Sequence, residues 1–279
     1  MMAVASSGGS IWPLNLFFSS SKIKHFLPKA SARPYCIRFS SHFRCKNSHK
    51  NSVAVYPSTV ADRVLMDIQN SGIIACLRAQ SAEMAIEAAR AALSGGISVL
   101  EITMSTPGFF EALQFLVQEY PSALLGVGTV LDRADAKDAL KCGAKFLMSP
   151  AMVKEILDDV AEGQALYIPG AMTPTEILLA SRAGAKIVKV YPVSALGGVR
   201  YIAAVKKPFP DIQMVASQGI TIDSVGQYIG QGASSVVLSD AIFEKNAMDE
   251  KNFDRINQLA RSAAFAGSQA VRNIRDNLS

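Results

Sequence analysis

The sequence predicts an α/β fold closed as a (β/α)8 TIM barrel with an N-terminal helix, and three observations carry that expectation. Eight short apolar runs alternate with helix-like stretches, the pattern of a parallel sheet joined by helical crossovers, and eight is the number that closes such a sheet into a barrel. A helix-ending glycine and a small residue feed a strand at Gly95-Gly96, Gly143-Ala144, Gly184-Ala185 and Gly232-Ala233, once every second βα unit. That pseudo-symmetry suits a barrel better than an open doubly wound sheet. Hydrophobic residues make up 49% of the 279, enough for a well-filled core, while no apolar run approaches the ~18–20 residues of a membrane helix. The chain is therefore not expected to span a membrane.

Taken in order, Val60, Val64, Leu65 and Ile68 recur at helical spacing and predict a helix over 58–70. Strands are expected over 73–78, 99–103, 124–128, 146–149, 166–169, 187–191, 214–217 and 235–239. Helices are expected between them, over 82–93, 107–119, 133–141, 153–161, 174–181, 199–206 and 224–231, with a last one from about 254. Asp132, Thr173 and Asp223 stand where N-caps belong, and Pro174 follows Thr173 as a first-turn proline does.

Residues 1–57 have a different character from 58–279, the expected barrel. No Asp or Glu precedes Asp62, whereas eight Lys and Arg do, in a Ser-rich background. This is the composition of an organelle transit peptide, disordered before cleavage. Its Met-Met-Ala-Val-Ala-Ser-Ser opening points to the chloroplast (plastid stroma) ahead of the mitochondrion. The net charge of +5 belongs to this leader: the remainder has 20 basic against 23 acidic residues. A mildly acidic body has no electrostatic footprint for nucleic acid.

All three histidines (His25, His42, His49) and two of the four cysteines (Cys36, Cys45) also fall in the leader. A barrel without histidine cannot run Ser-His or Cys-His catalysis or hold a His-ligated zinc. Cys76 and Cys142 form neither a disulfide framework nor a metal cluster and read as small buried hydrophobes. No metal and no cofactor is expected, and the chemistry falls to Lys, Glu, Asp, Tyr or Arg.

Barrel active sites sit at the C-terminal ends of strands. Polar residues at those ends are Arg78, Glu101, Thr103, Thr129, Ser149, Lys189, Tyr191, Ser217, Gln218, Ser239 and Asp240. In the strand around 187–191, Val188 and Val190 share one face and Ile187, Lys189 and Tyr191 the other. If the valines pack on helices, Lys189 faces the barrel interior. There desolvation disfavours an ammonium ion and favours the free amine that attacks a carbonyl. The other reading is a solvated lysine at a strand end. Glu101 likewise shares the inward face of its strand with Val99 and Thr103. It is either one half of an internal ion pair with Lys189 or Arg78, or a general acid/base. Gly126-Val127-Gly128 suits close packing of the third strand rather than a nucleotide fingerprint. Gly197-Gly198 could bind an anion or simply turn the chain.

An amine and a carboxyl without histidine or metal suit Schiff-base aldol cleavage. The amine adds to a ketone, the carboxyl shuttles protons through carbinolamine and imine, and the protonated imine takes up the electrons released as the C–C bond breaks. From about Val64 to Ala264 the chain resembles the KDPG/KHG aldolase family, which cleaves 2-keto-3-deoxy sugar acids or 4-hydroxy-2-ketoglutarate to pyruvate and an aldehyde. The resemblance lies in Val99-Leu100-Glu101-Ile102-Thr103, Gly126-Val127-Gly128-Thr129-Val130-Leu131, Ser149-Pro150, Ile168-Pro169-Gly170 with Thr173-Pro174-Thr175-Glu176, and Lys189-Val190-Tyr191-Pro192. With the leader, it is to a plant-type organellar member.

The resemblance implies a carbon–carbon lyase, a class I aldolase active as a homotrimer on a small 2-keto acid. Lys189 takes the Schiff-base position and Glu101 the acid/base position. Thr103, Thr129, Pro150, Tyr191, Gly219 and Ser239 fall among the substrate-binding positions. Many members carry an arginine just after the glutamate strand, where this chain has Ser105. A phosphogalactonate-type branch instead ends its first strand in arginine, as Arg78 does here, so Arg78 is expected to hold the substrate carboxylate. The family's Gly-Gly after the seventh strand reads Gln218-Gly219, and its Gly-Ser after the eighth reads Leu238-Ser239. Fewer glycines leave fewer N–H groups to cradle a phosphate, and an inward Asp240 would repel a dianion. The alternatives are a phosphate-binding barrel isomerase or epimerase, and a non-catalytic keto-acid-binding barrel.

Overall fold

Every strand pairs in parallel with its neighbours, as helical crossovers require. The computed structural model describes residues 59–278, so the expected leader over 1–57 lies outside the described residues. The strands are β1 (Ile73–Leu77), β2 (Val99–Thr103), β3 (Leu124–Gly128), β4 (Phe146–Met148), β5 (Leu166–Ile168), β6 (Gly170–Ala171), β7 (Val188–Val190), β8 (Met214–Ser217) and β9 (Ser235–Leu238).

There are nine strands rather than eight because the expected fifth is interrupted at Pro169, which has no N–H to give to a ladder. β5 pairs with β4 and β6 with β7. These two halves of one stave form the two ends of the sheet order β5-β4-β3-β2-β1-β9-β8-β7-β6. The Pro169 carbonyl still accepts from the Lys189 N–H at 2.8 Å, so the ring of eight staves closes through that residue.

The helices are α1 (Val60–Ser71), α2 (Ala82–Ser94), α3 (Phe109–Glu119), α4 (Arg133–Lys141), α5 (Lys154–Asp159), α6 (Pro174–Arg182), α7 (Val199–Lys206), α8 (Val225–Gly230), α9 (Lys245–Asp249) and α10 (Phe253–Leu278). Asp132 caps α4 by accepting from the Ala134 and Asp135 N–H groups, and Thr173 caps α6 in a reciprocal box with Glu176. Asp223 is not a cap: it lies inside a 3-10 turn (Ile222–Ser224) that precedes α8, and Thr221 occupies the capping position. The short α9 has no expected counterpart. The fourfold glycine repeat is real, with Gly96, Gly143, Gly184 and Gly232 at φ 101, 99, 105 and 100°. At the first of the four it is Gly96, followed by Ile97, that makes the left-handed turn, and Gly95 ends the helix in right-handed conformation.

The alternation along each strand divides the core into two layers. Outward residues such as Leu100, Ile102, Val188 and Val190 pack against helices, while Ile74, Val99, Phe146, Ile168, Ile187 and Val215 fill the barrel. The inner layer also takes in Ala61, Val64 and Ile68 of α1. This helix lies across the N-terminal ends of the strands. The Ala61 N–H donates to the Gly163 carbonyl at 3.1 Å, Lys186 pairs with Asp62 at 2.8 Å, and Gln69 donates to Gln213 at 3.0 Å, each partner lying just before a strand. Burial of Val64 and Ile68 contributes about 1.5–3 kcal/mol each. The helix thus covers the N-terminal pole of the barrel.

Candidate active site

The C-terminal ends of the staves surround a cavity of about 420 Å³, and all nine residues expected there line it: Arg78, Glu101, Thr103, Thr129, Pro150, Lys189, Tyr191, Gly219 and Ser239. Cys76, Ser217, Gln218 and Asp240 line it too.

Lys189 stands on β7 with Val188 and Val190 turned to the helices, and its side chain points into the barrel, 7% exposed. A solvated strand-end lysine is therefore not what the fold contains. Its Nζ lies 5.2 Å from the centroid of the Tyr191 ring, whose π face favours a cation there. Glu101 on β2 is 1% exposed. Its Oε1 lies so close to β3 that a Cβ built on Gly128 would fall 1.5 Å away, and its Oε2 has no hydrogen-bond partner among the described residues. Neither Lys189 nor Arg78 forms an ion pair with it among the described residues, so it is not held as an internal salt bridge. A buried carboxylate oxygen without a partner costs stability.

Cys76, read from the sequence as a small buried hydrophobe, is buried in the inner apolar layer and also lines the site, whereas Cys142, read the same way, is only half-buried. Cys76 pairs in register with Glu101 across β1 and β2 and shares its inward face. Burial pushes its thiol up and the Glu101 charge adds to that, with Lys189 and Arg78 opposing. The period-two alternation from Ile74 is the sequence signal that places Cys76 on the inward face.

Arg78 follows β1 at the exposed rim. Its Nε donates to Ser105 Oγ at 3.3 Å, and Ser105 in turn shares a hydrogen bond of 2.9 Å with Thr103 Oγ1. The Ala79 N–H donates to the buried Thr106 Oγ1 at 3.1 Å, which pins the segment carrying the guanidinium to the loop after β2.

Thr129 and Pro150 are held from behind. Tyr167 faces outward from β5 and donates to Ser149 Oγ at 3.0 Å, while Ser149 donates to the Val130 carbonyl. This strut ties together the residues next to Thr129 and Pro150, and it allows Thr129 to sit at φ 62°, a left-handed conformation rare for a β-branched residue. Such strain costs about 1–3 kcal/mol and collects at functional sites. Gln218 is the second such residue in the lining, at φ 87°.

The glycines of the third strand serve packing: a Cβ on Gly126 would meet the Phe146 ring at 2.5 Å. Gly197 and Gly198 turn the chain, since their N–H groups donate to the Ser194 and Val193 carbonyls and are not free for an anion. Among the described residues no group of three or more His, Cys, Asp or Glu is placed to hold a metal ion, and no helix is long and apolar enough to cross a membrane.

Among known proteins, a family model for KDPG and KHG aldolase matches residues 64–259 of the chain. A 2-dehydro-3-deoxy-phosphogluconate aldolase of Dickeya dadantii is 32% identical over 188 residues, covering 67% of this chain and 88% of that protein. A KHG/KDPG aldolase of Escherichia coli is 31% identical over 181 residues, covering 65% and 85%. The structure of a KDPG aldolase from Legionella pneumophila, with pyruvate captured as a covalent carbinolamine intermediate, superposes with a TM-score of 0.67 at 27% identity over 72% of this chain and 97% of that one.

Proposed function

The chain belongs to the KDPG and KHG aldolase family, and from that premise we infer that it is a class I aldolase, a carbon–carbon lyase that splits a 2-keto-4-hydroxy acid into pyruvate and an aldehyde. The observation that carries this reading is the pair Lys189 and Glu101, both buried and both lining the same cavity at the barrel mouth, the carboxylate with an oxygen unpartnered among the described residues.

The Lys189 amine adds to the C2 ketone, and Glu101 donates the proton that lets the carbinolamine lose water. Glu101 then accepts the C4 hydroxyl proton as the C3–C4 bond breaks. The bonding electrons pass into the protonated imine, and the aldehyde leaves. Protonation at C3 and hydrolysis return pyruvate and the free amine. Arg78 holds the C1 carboxylate through its planar fork. Thr103, Thr129, Pro150 and Tyr191 wall the pyruvate half, and Gly219 and Ser239 border the rest of the chain. The substrate is a 2-keto-3-deoxy sugar acid or 4-hydroxy-2-ketoglutarate.

The functional unit in this reading is a homotrimer, supported by the family resemblance and checked by light scattering on the purified barrel. Residues 1–57 direct import into the chloroplast as a plant-type leader, supported by their composition and tested by imaging a fusion of those residues to a fluorescent protein. The isomerase and binding-protein readings have less support, since the relatives matched are named aldolases.

Borohydride reduction in the presence of pyruvate tests the chemistry directly. A stable adduct is expected on Lys189, located by peptide mass mapping, and Lys189→Met is expected to lose both adduct and cleavage. Full activity in that variant would end the reading.

A further inference from the structure

We propose that Tyr167, which does not line the cavity, is a positioning residue for the reaction: acting through Ser149, it holds Thr129 and Pro150 in place and so sets the affinity of the site for the keto-acid half of the substrate. The inference rests on the aldolase reading and adds to it a residue on the outer side of the barrel wall.

Alternation along β5 turns Leu166 and Ile168 into the barrel and Tyr167 into the outer layer, where its ring is buried with the helices. What the phenol adds to that packing is a hydroxyl delivered beneath two loops. It accepts from the Val153 N–H at 3.0 Å and donates to Ser149 Oγ at 3.0 Å. Its one donor is thereby used. Ser149, itself fully buried, donates in turn to the Val130 carbonyl. Burial pushes the Tyr167 phenol above its ordinary pKa, so it remains a donor at neutral pH.

The consequence lies one residue along each loop. Thr129 precedes Val130 and Pro150 follows Ser149, and both line the cavity. The Val130 N–H donates to the Met148 carbonyl at 3.2 Å and the Ser149 N–H to the Ile168 carbonyl at 3.2 Å. Val130 is therefore fixed at both its donor and its acceptor, and Thr129 keeps its φ of 62° against its own preference. Without the phenol hydroxyl, the buried Ser149 Oγ and the Val153 N–H each lose a partner, and the loops after β3 and β4 are free to relax. Lys189 and Glu101 stand on β7 and β2 and take no bond from these hydroxyls among the described residues. The loss falls on binding of the keto-acid half rather than on the chemical steps.

Tyr167→Phe removes one oxygen and keeps the ring. It is expected to raise KM for the 2-keto acid, and the pyruvate concentration that half-saturates borohydride trapping on Lys189, by about tenfold each, with kcat within about twofold of the wild type. Ser149→Ala breaks the same strut at its other end and should raise both by a similar factor, so the readout survives if Tyr167→Phe does not fold. In the double variant the two factors should not multiply, because a single path carries both. Ile256→Val, buried in the helix layer on α10, is the control, and should lose stability in urea with pyruvate affinity unchanged. Unchanged affinity in Tyr167→Phe, a loss confined to kcat, factors that multiply, or an equal rise in Ile256→Val overturns the proposal. Trapping on the wild type separates the two levels. An adduct on Lys189 together with any of those results overturns the positioning role alone, and absence of the adduct overturns the aldolase reading with it.

Discussion

The Glu101 carboxylate occupies the space that a side chain at Gly128 would need: a Cβ there would stand 1.5 Å from Oε1. The glycine is thus part of the carboxylate's seat, since the two inward positions on adjacent staves cannot both be filled. Gly128→Ala is expected to displace Glu101 and lower kcat by about 10²-fold, close to the loss in Glu101→Gln. The borohydride adduct with pyruvate should still form on Lys189 in both variants, but more slowly, because Glu101 also serves the loss of water from the carbinolamine. Steady-state rates measured beside adduct mass decide the matter, and a Gly128→Ala enzyme of normal kcat would show that the carboxylate position is not critical.

Arg78 offers a planar fork at the rim, braced through Ser105 and Thr103. Arg78→Ala should raise KM for the 2-keto acid by about 10- to 100-fold, the range for a lost hydrogen bond to a charged group. Arg78→Lys should recover only part of this, because an ammonium cannot pair bidentately. Initial-rate kinetics over a range of substrate concentrations separate KM from kcat.

Gly170 touches backbone rather than a flexible side chain, for a Cβ there would fall 2.1 Å from the Pro150 carbonyl oxygen. Gly170→Ala must push the Pro150 loop into or away from the cavity. The expected result is a stability loss of about 1–3 kcal/mol with weakened pyruvate binding. Urea unfolding and pyruvate titration check the two effects separately.

The Cys76 thiol is held protonated by burial and by Glu101. The same thiol in the unfolded chain ionises from about pH 8.5. Below that pH both states keep the proton and stability is unaffected. Above it the unfolded state binds fewer protons than the fold, so stability falls as pH rises, by at most about 1.4 kcal/mol per pH unit. Unfolding midpoints between pH 8 and pH 10 should decline more steeply in the wild type than in Cys76→Ala, and equal slopes would contradict the buried, protonated thiol. Iodoacetamide should label the half-buried Cys142 ahead of Cys76 in the native protein.

Much of this architecture was legible because periodicity and turn residues speak to local backbone. The inward face of β7, the helix-ending glycines and the residues at the strand ends all follow from alternation and φ preference. The interruption at Pro169 was equally written in the sequence, since a proline inside a strand demotes it. What escaped was non-local. Tyr167 reads as one more apolar strand residue until the loops after β3 and β4 are folded beside it, and only then does its hydroxyl find Ser149. The left-handed turns at Thr129 and Gln218 run against residue preference, so no propensity could announce them. Asp223 failed as a cap because the 3-10 turn moved the helix start two residues earlier. Cys76 lies in the apolar inner layer as its type suggests, and only the register of β1 on β2 reveals that it also faces the site beside Glu101.

Because α1 closes the pole opposite the mouth, with Asp62, Gln69 and Ala61 fastened to segments that precede strands, the chain enters the barrel on the side away from the chemistry. A resin, an electrode surface or a fused carrier domain attached ahead of Thr59 would leave the opening clear for diffusing small molecules. Immobilised catalyst joined through that end should turn over at nearly its free-solution rate.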